Sequence, residues 1–163
     1  MSVFTDRPPS DHVASNELAF ALRDNYPVSA GHTLVIPRRE IANWFEANPA
    51  EREAIFALVE QVKAALDRGE PKPDGYNIGI NCGEAAGQTV MHLHVHLIPR
   101  YRGDVPDPTG GVRGVIPGKA NYRAPPLEGG ESKTPRDVGR ALPPVTPSVG
   151  RACEAEVEGP FDS

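Results

Sequence analysis

The chain has 163 residues, a length that suits one domain with a tail, and its net charge of −5 excludes whole-molecule attraction to polyanions. Hydrophobic residues make up only 39%, while 18 prolines and 16 glycines are unevenly spread. No apolar run approaches the ~20 residues that span a bilayer. The opening MSVFTDRPPSDHVASNELAF lacks the basic region and apolar core of a secretory signal, so a cytoplasmic protein without membrane contact is expected. Cys82 and Cys153 are far apart and read as two free thiols, and no CxxC pair marks structural zinc.

Residues 16–23, NELAFALR, mix apolar and polar positions as a strand does. A turn containing Pro27 and Gly31 leads to the β-branched run TLVIP, stopped by Pro37. These two segments read as an antiparallel pair. Short helical character is expected in 40-EIANWFEA-47. A long helix should then begin at Asn48, with Pro49 in its first position and Glu51 completing a capping box. Ile55, Leu58, Val59, Val62 and Leu66 repeat at helical spacing, and Gly69 supplies a stop. Residues 75–81 and 90–99 read as further strands, separated by the loop CGEAAGQT. The sum is an α+β domain, an antiparallel β-sheet with the long helix and the short helix packed on one face. From residue 124 onward large apolar side chains are few and no period persists. Residues 1–123 are therefore read as the folded unit and 124–163 as a Pro/Gly-rich disordered tail.

The stretch 90-VMHLHVHLIPR-100 places His92, His94 and His96 at alternate positions, and alternate residues of a strand share a face. Met91, Leu93, Val95 and Leu97 should form the opposite, core-facing side. Zinc is one use for three imidazoles, with His32 as a borrowed ligand, but the outer pair of one strand lies about 13 Å apart and converges poorly. A nucleophilic imidazole supported by its neighbours is the other. Two imidazolium charges ~6.6 Å apart repel by roughly 2.5 kcal/mol at an effective dielectric near 20, so the rings should be largely neutral at pH 7. The loop before the strand, with Gly83, Gly87, Ala85 and Ala86, lets backbone N–H groups approach phosphate oxygens, and Gln88 and Thr89 add neutral donors.

His92-Leu-His94-Val-His96-Leu-Ile, together with 19-AFALRDNYPVSAGHTLVIP-37 and 81-NCGEAAGQTVMHLHVH-96, resembles the histidine-triad (HIT) family of nucleotide hydrolases and transferases. The match covers residues 16–102. The resemblance implies a HIT-like fold, a homodimer, and attack on the α-phosphorus of a nucleotide to give a nucleotidyl-histidine that water hydrolyses. By position His94 would be the nucleophile and His96 a donor to an α-phosphate oxygen. His92 and His32 would support the triad from behind. Gln88 and Thr89 would contact phosphates beside Gly87, and Asn81 would line the pocket. Asp24 would accept ribose hydroxyls, and Leu22 and Leu34 would wall the base.

Glu40 follows VIPRR where many relatives carry His, and the Trp-Pro-Pro-Gly ending of the phosphoramidase-like branch is missing. EAAGQTV before the triad and IPRYRGD after it resemble the fragile-histidine-triad-like, dinucleoside polyphosphate hydrolase branch. Arg100, Arg102, Arg113 and Lys119 are candidate sources of local positive charge for polyphosphate. No tightly bound cofactor or metal is expected, and a divalent cation such as Mg would accompany the substrate polyphosphate. The expected partner is a nucleotide small molecule, with no nucleic acid. The competing readings are a nucleotide-binding regulatory protein with weak residual hydrolysis, and a zinc-dependent hydrolase. If residues 124–163 add nothing to the core, their deletion should leave the thermal midpoint within about 2 °C of the full chain, measured by circular dichroism.

Overall fold

A computed structural model describes residues 2–118 and 120–122. Five strands form one antiparallel sheet: β1 (His12–Ser15), β2 (Ala19–Arg23), β3 (Thr33–Pro37), β4 (Gly75–Ile80) and β5 (Val95–Arg100), in the order β1-β2-β3-β5-β4. The helix α1 (Pro49–Leu66) covers one face of it. The expected α+β architecture is found, and the expected pairing of β2 with β3 is found in register, Phe20 opposite Ile36 and Leu22 opposite Leu34. The tail reading for 124–163, Cys153 and Lys119 lie outside the described residues.

Period-2 alternation sorts the sheet's side chains into two apolar groups. Ala19, Ala21, Val35, Val95 and Leu97 face α1 and pack with Ile55, Leu58, Val59 and Val62. Phe20, Leu22, Leu34 and Ile36 form a smaller cluster on the opposite face, against which Phe4 packs. His96 lies opposite Leu34 across the β3–β5 ladder, on this second face. The catalytic-looking side of the sheet is thus the side without the helix.

The helix begins as its sequence dictates. The Asn48 side chain accepts from the Glu51 N–H at 2.9 Å, and the Glu51 carboxylate accepts from the Asn48 N–H at 2.9 Å. Arg39 donates to both oxygens of the same carboxylate at 2.7 and 2.8 Å, so the helix start also holds the segment after β3.

Three expectations need correction. The short helix in 40–47 is a single 3-10 turn, Trp44–Glu46, capped by Asn43. The strand β1 was not foreseen, because HVAS is four residues long, half exposed and bulged, with little apolar weight. The last strand begins at Val95 and not at residue 90. Continuing the β3–β5 register would set Leu93 opposite Pro37, which has no N–H to give. Leu93 N–H instead donates to the Ile41 carbonyl at 2.7 Å, and Met91, assigned to the core face, is 50% exposed. Replacing Asn48 with Ala should cost about 1 kcal/mol of stability, read as a lower urea midpoint with unchanged slope.

Candidate active site

A cavity of about 370 Å3 opens on the helix-free face, beside the end of β2 and the start of β5. His94, His96, Asp24, Thr89, Leu22 and Leu34 line it, six of the residues singled out from sequence. Its size suits a nucleoside-like ligand. Leu22 and Leu34 are both wall and core, since they belong to the apolar cluster beneath the cavity.

Backbone carbonyls set the state of two imidazoles. His92 is 1% exposed, and its Nε2 lies 2.8 Å from the Pro37 carbonyl oxygen. A carbonyl only accepts, so this nitrogen carries the proton. His94 Nδ1 lies 2.8 Å from the carbonyl oxygen of His92, which places its proton on Nδ1 by the same reasoning. In the neutral His94 ring Nε2 then holds a lone pair, and His94 lines the cavity. His92 therefore meets His94 through its backbone carbonyl, with its own ring buried.

His96 Nδ1 lies 3.0 Å from His32 Nε2. On its other side His32 Nδ1 is 3.3 Å from an Asp24 oxygen and 3.4 Å from the Val28 N–H. When Nδ1 of His32 accepts from Val28, its Nε2–H donates to His96, whose Nε2 then carries a proton toward the cavity. When Nδ1–H faces Asp24, the pattern reverses and His96 Nε2 becomes an acceptor. One geometry thus serves two proton positions. Asp24 also accepts from the Tyr26 N–H at 2.9 Å, so it is a turn residue and a cavity residue at once.

Burial is the leading reason these rings resist protonation. Desolvation lowers the His96 pKa to about 4, with the neighbouring His94 and His32 adding to it and Asp24 opposing. His32 is lowered by burial against the pull of Asp24, and His92 is lowered mainly by burial. Mutual repulsion, offered above as the cause of neutrality, is secondary to desolvation.

Several expected contacts are not made. Gln88 is 3% exposed; its amide donates to the carbonyls of Ala42 and Val90 and its oxygen accepts from the Gly83 N–H, so it braces the loop and does not line the cavity. Asn81 and Gly87 also lie outside the lining, although Gly87 has the left-handed φ of 87° that favours glycine. Arg100 pairs with Asp104 at 2.7 Å, Arg102 lies 3.6 Å from Asp74, and Arg113 sits over the Tyr122 ring. None of these arginines lines the cavity; Arg7 and Arg23 do. Phe4, Arg7 and Tyr26 were missed from sequence. Tyr26 sits in the 19–37 stretch beside Asp24, whereas the neighbours of Phe4 and Arg7 carry no pattern and only folding brings residues 3–7 to the cavity. Among the described residues, Asp24, His32 and His96 could hold a metal ion. That trio differs from the collinear His92, His94 and His96 considered first.

Residues 6–103 match the HIT domain family, more than half of the chain, and the protein belongs to that family. It is 36% identical over 112 residues to an uncharacterized HIT-like protein of Mycoplasma genitalium, covering 69% of this chain and 74% of that one. It is 38% identical over 88 residues to the asymmetrical bis(5'-nucleosyl)-tetraphosphatase of Schizosaccharomyces pombe, covering 54% of this chain and only 48% of that enzyme. A crystal structure of a HIT family member from Bacillus subtilis superposes with a TM-score of 0.57 at 36% identity, over 63% of this chain and 75% of the other.

Because His96 stays neutral until about pH 4 when folded but titrates near its ordinary value when unfolded, the unfolded chain binds more protons between these values. This group should therefore make stability fall as pH drops from about 6.5 to 4. A His96→Asn variant measured by urea unfolding across that range should show a shallower pH dependence.

Proposed function

We propose that this protein hydrolyses a nucleotide conjugate at its α-phosphate, a dinucleoside polyphosphate or a nucleotide phosphoramidate, through a nucleotidyl-histidine intermediate. The observation that carries the reading is the His94 tautomer: its Nδ1–H is held by the His92 carbonyl, which leaves Nε2 as the nucleophilic nitrogen. In the first step His94 Nε2 bonds to the α-phosphorus and the bond to the leaving group breaks. His96, oriented by His32, holds an Nε2–H hydrogen bond to a non-bridging phosphate oxygen and keeps its proton; a polyphosphate departs as the anion, and an amine leaving group takes its proton from water. In the second step water attacks the same phosphorus, the nitrogen–phosphorus bond breaks, and the nucleotide leaves.

The lining supports a nucleoside on the substrate side. Leu22, Leu34 and Phe4 line the cavity and would offer apolar surface to a base, and Asp24, also in the lining, would accept ribose hydroxyls. Thr89 lines the cavity with His94 and His96 and would meet the phosphates, as would Arg23 and Arg7, the latter paired with Asp11 at 2.9 Å. The tetraphosphatase among the relatives favours a dinucleoside polyphosphate, which would bring a divalent cation such as Mg with it. A homodimer belongs to this reading. It is supported by β4 lying at the sheet edge with Ile78 45% exposed.

His94→Ala should lower turnover of diadenosine polyphosphate at least about 10³-fold while the protein keeps its melting temperature. Intact-mass measurement of the wild type under rapid quench should show a covalent nucleotidyl adduct that is missing in the variant. Retention of near-normal rates by His94→Ala would overturn the mechanism.

A further inference from the structure

Residues 2–7 have no strand or α-helix of their own, yet they form part of the cavity wall through Val3, Phe4 and Arg7. Their conformation is held by a compact set of hydrogen bonds. The Thr5 and Asp6 N–H groups both donate to the Ser2 carbonyl, at 3.0 and 3.3 Å, and the Thr5 hydroxyl donates to it at 2.9 Å. These bonds shape the turn but do not attach it to the domain.

Glu40 makes that attachment at Ser2 and Thr5, while Arg7 at the other end of the segment reaches Asn25 at 3.4 Å. One oxygen of its carboxylate accepts from the Ser2 N–H at 2.9 Å and, 3.1 Å from the Thr5 hydroxyl, shares that single proton with the Ser2 carbonyl, across more than thirty residues of sequence. These bonds are the leading cause of its lowered pKa, so the carboxylate stays charged and a strong acceptor. Between the two anchored residues lies Phe4. Its ring centroid is 5.9 Å from that of His92 and 5.2 Å, edge-on, from that of His94. Phe4 also packs on the apolar cluster of Phe20, Leu22, Leu34 and Ile36.

We propose that Glu40 is a positioning residue for the site: it pins residues 2–5 so that Phe4 caps His92 and His94 and completes the apolar wall for the nucleoside. The side chain of Phe4 then limits the tilt of the His94 ring and excludes water from one side of it. Glu40 itself lies outside the cavity lining and touches neither the nucleophile nor the substrate. The inference rests on the catalytic reading for its kinetic consequence, but the anchoring itself is independent of any activity.

The test therefore has two arms. In the first, imidazole proton resonances of the free protein are followed by NMR, since an aromatic ring at these distances shifts them measurably. Phe4→Ala should move the His92 and His94 signals and leave those of His32 near their wild-type positions. Glu40→Ala should move the same two sets in the same direction, and Glu40→Gln, which keeps an acceptor oxygen, should restore much of the wild-type pattern. Wild-type His92 and His94 signals in Glu40→Ala would overturn the proposal, whether or not the protein hydrolyses nucleotides.

In the second arm, kcat and KM are measured on a dinucleoside polyphosphate. Glu40→Ala and Phe4→Ala should each raise KM several-fold with a smaller fall in kcat. The double variant should be little worse than either single one, because both remove the same device. Additive losses would overturn it. An inactive wild type would instead defeat the catalytic reading and leave the first arm to decide.

Discussion

Two backbone carbonyls govern the chemistry of this site. The carbonyl of Pro37 receives the Nε2 proton of His92, and the carbonyl of His92 receives the Nδ1 proton of His94. Each bond dictates which nitrogen of a ring is protonated, and the second leaves the nitrogen nearer the substrate as a lone pair. Both bonds lie where the β3–β5 ladder has ended, beside the Pro37 that closes β3. Pro37 cannot continue the ladder as a donor, so β5 starts only at Val95 and the chain before it adjusts. An interruption of the sheet thus becomes the mount for His94, the nucleophile of the proposed reaction. A longer β5 running through residues 92–94 would have committed the same carbonyls to strand pairing.

The second constraint is dielectric. His92 and His32 are almost wholly buried, and His96 is held to a pKa of about 4 chiefly by desolvation. Neutral imidazoles are the forms that donate and accept in a relay, so burial prepares the cluster for proton movement. Asp24 works against this locally by stabilising charge on His32 and His96. Any ligand group that engaged the Asp24 carboxylate would alter that balance and so the proton positions on His32 and His96.

The sheet divides the work between its faces. The helix face carries Val95, Leu97 and the apolar side of α1, a core that requires nothing of substrate. The other face uses a smaller cluster, Phe20, Leu22, Leu34 and Ile36, as the floor beneath a cavity. That floor is covered from above by residues near the chain's start, tethered by Glu40. The site is consequently assembled from four separated stretches: residues 3–7, the β2–β3 region, Thr89–Val90, and His94 with the start of β5.

Much of this was legible in the residues alone. The helix and its capping box, the β2–β3 pair and the common direction of His94 and His96 follow from local periodicity and cap chemistry, which act within a few residues. The alternating triad resembles the family's motif, and the family match over residues 6–103 agrees with it. Tertiary structure decided what local signals cannot encode. Gln88 reads as a phosphate donor in isolation, but its amide is consumed by Ala42, a carbonyl 46 residues away. Arg100 reads as a polyphosphate ligand, but Asp104 and Asn77 hold it. Phe4 and Glu40 carry no motif, and their meaning comes only from being folded against His94 and Ser2. Hydrogen-bond donors and charges are spent on whichever partner the fold brings within about 3 Å, and burial sets their cost, so the roles of such residues were decided in three dimensions.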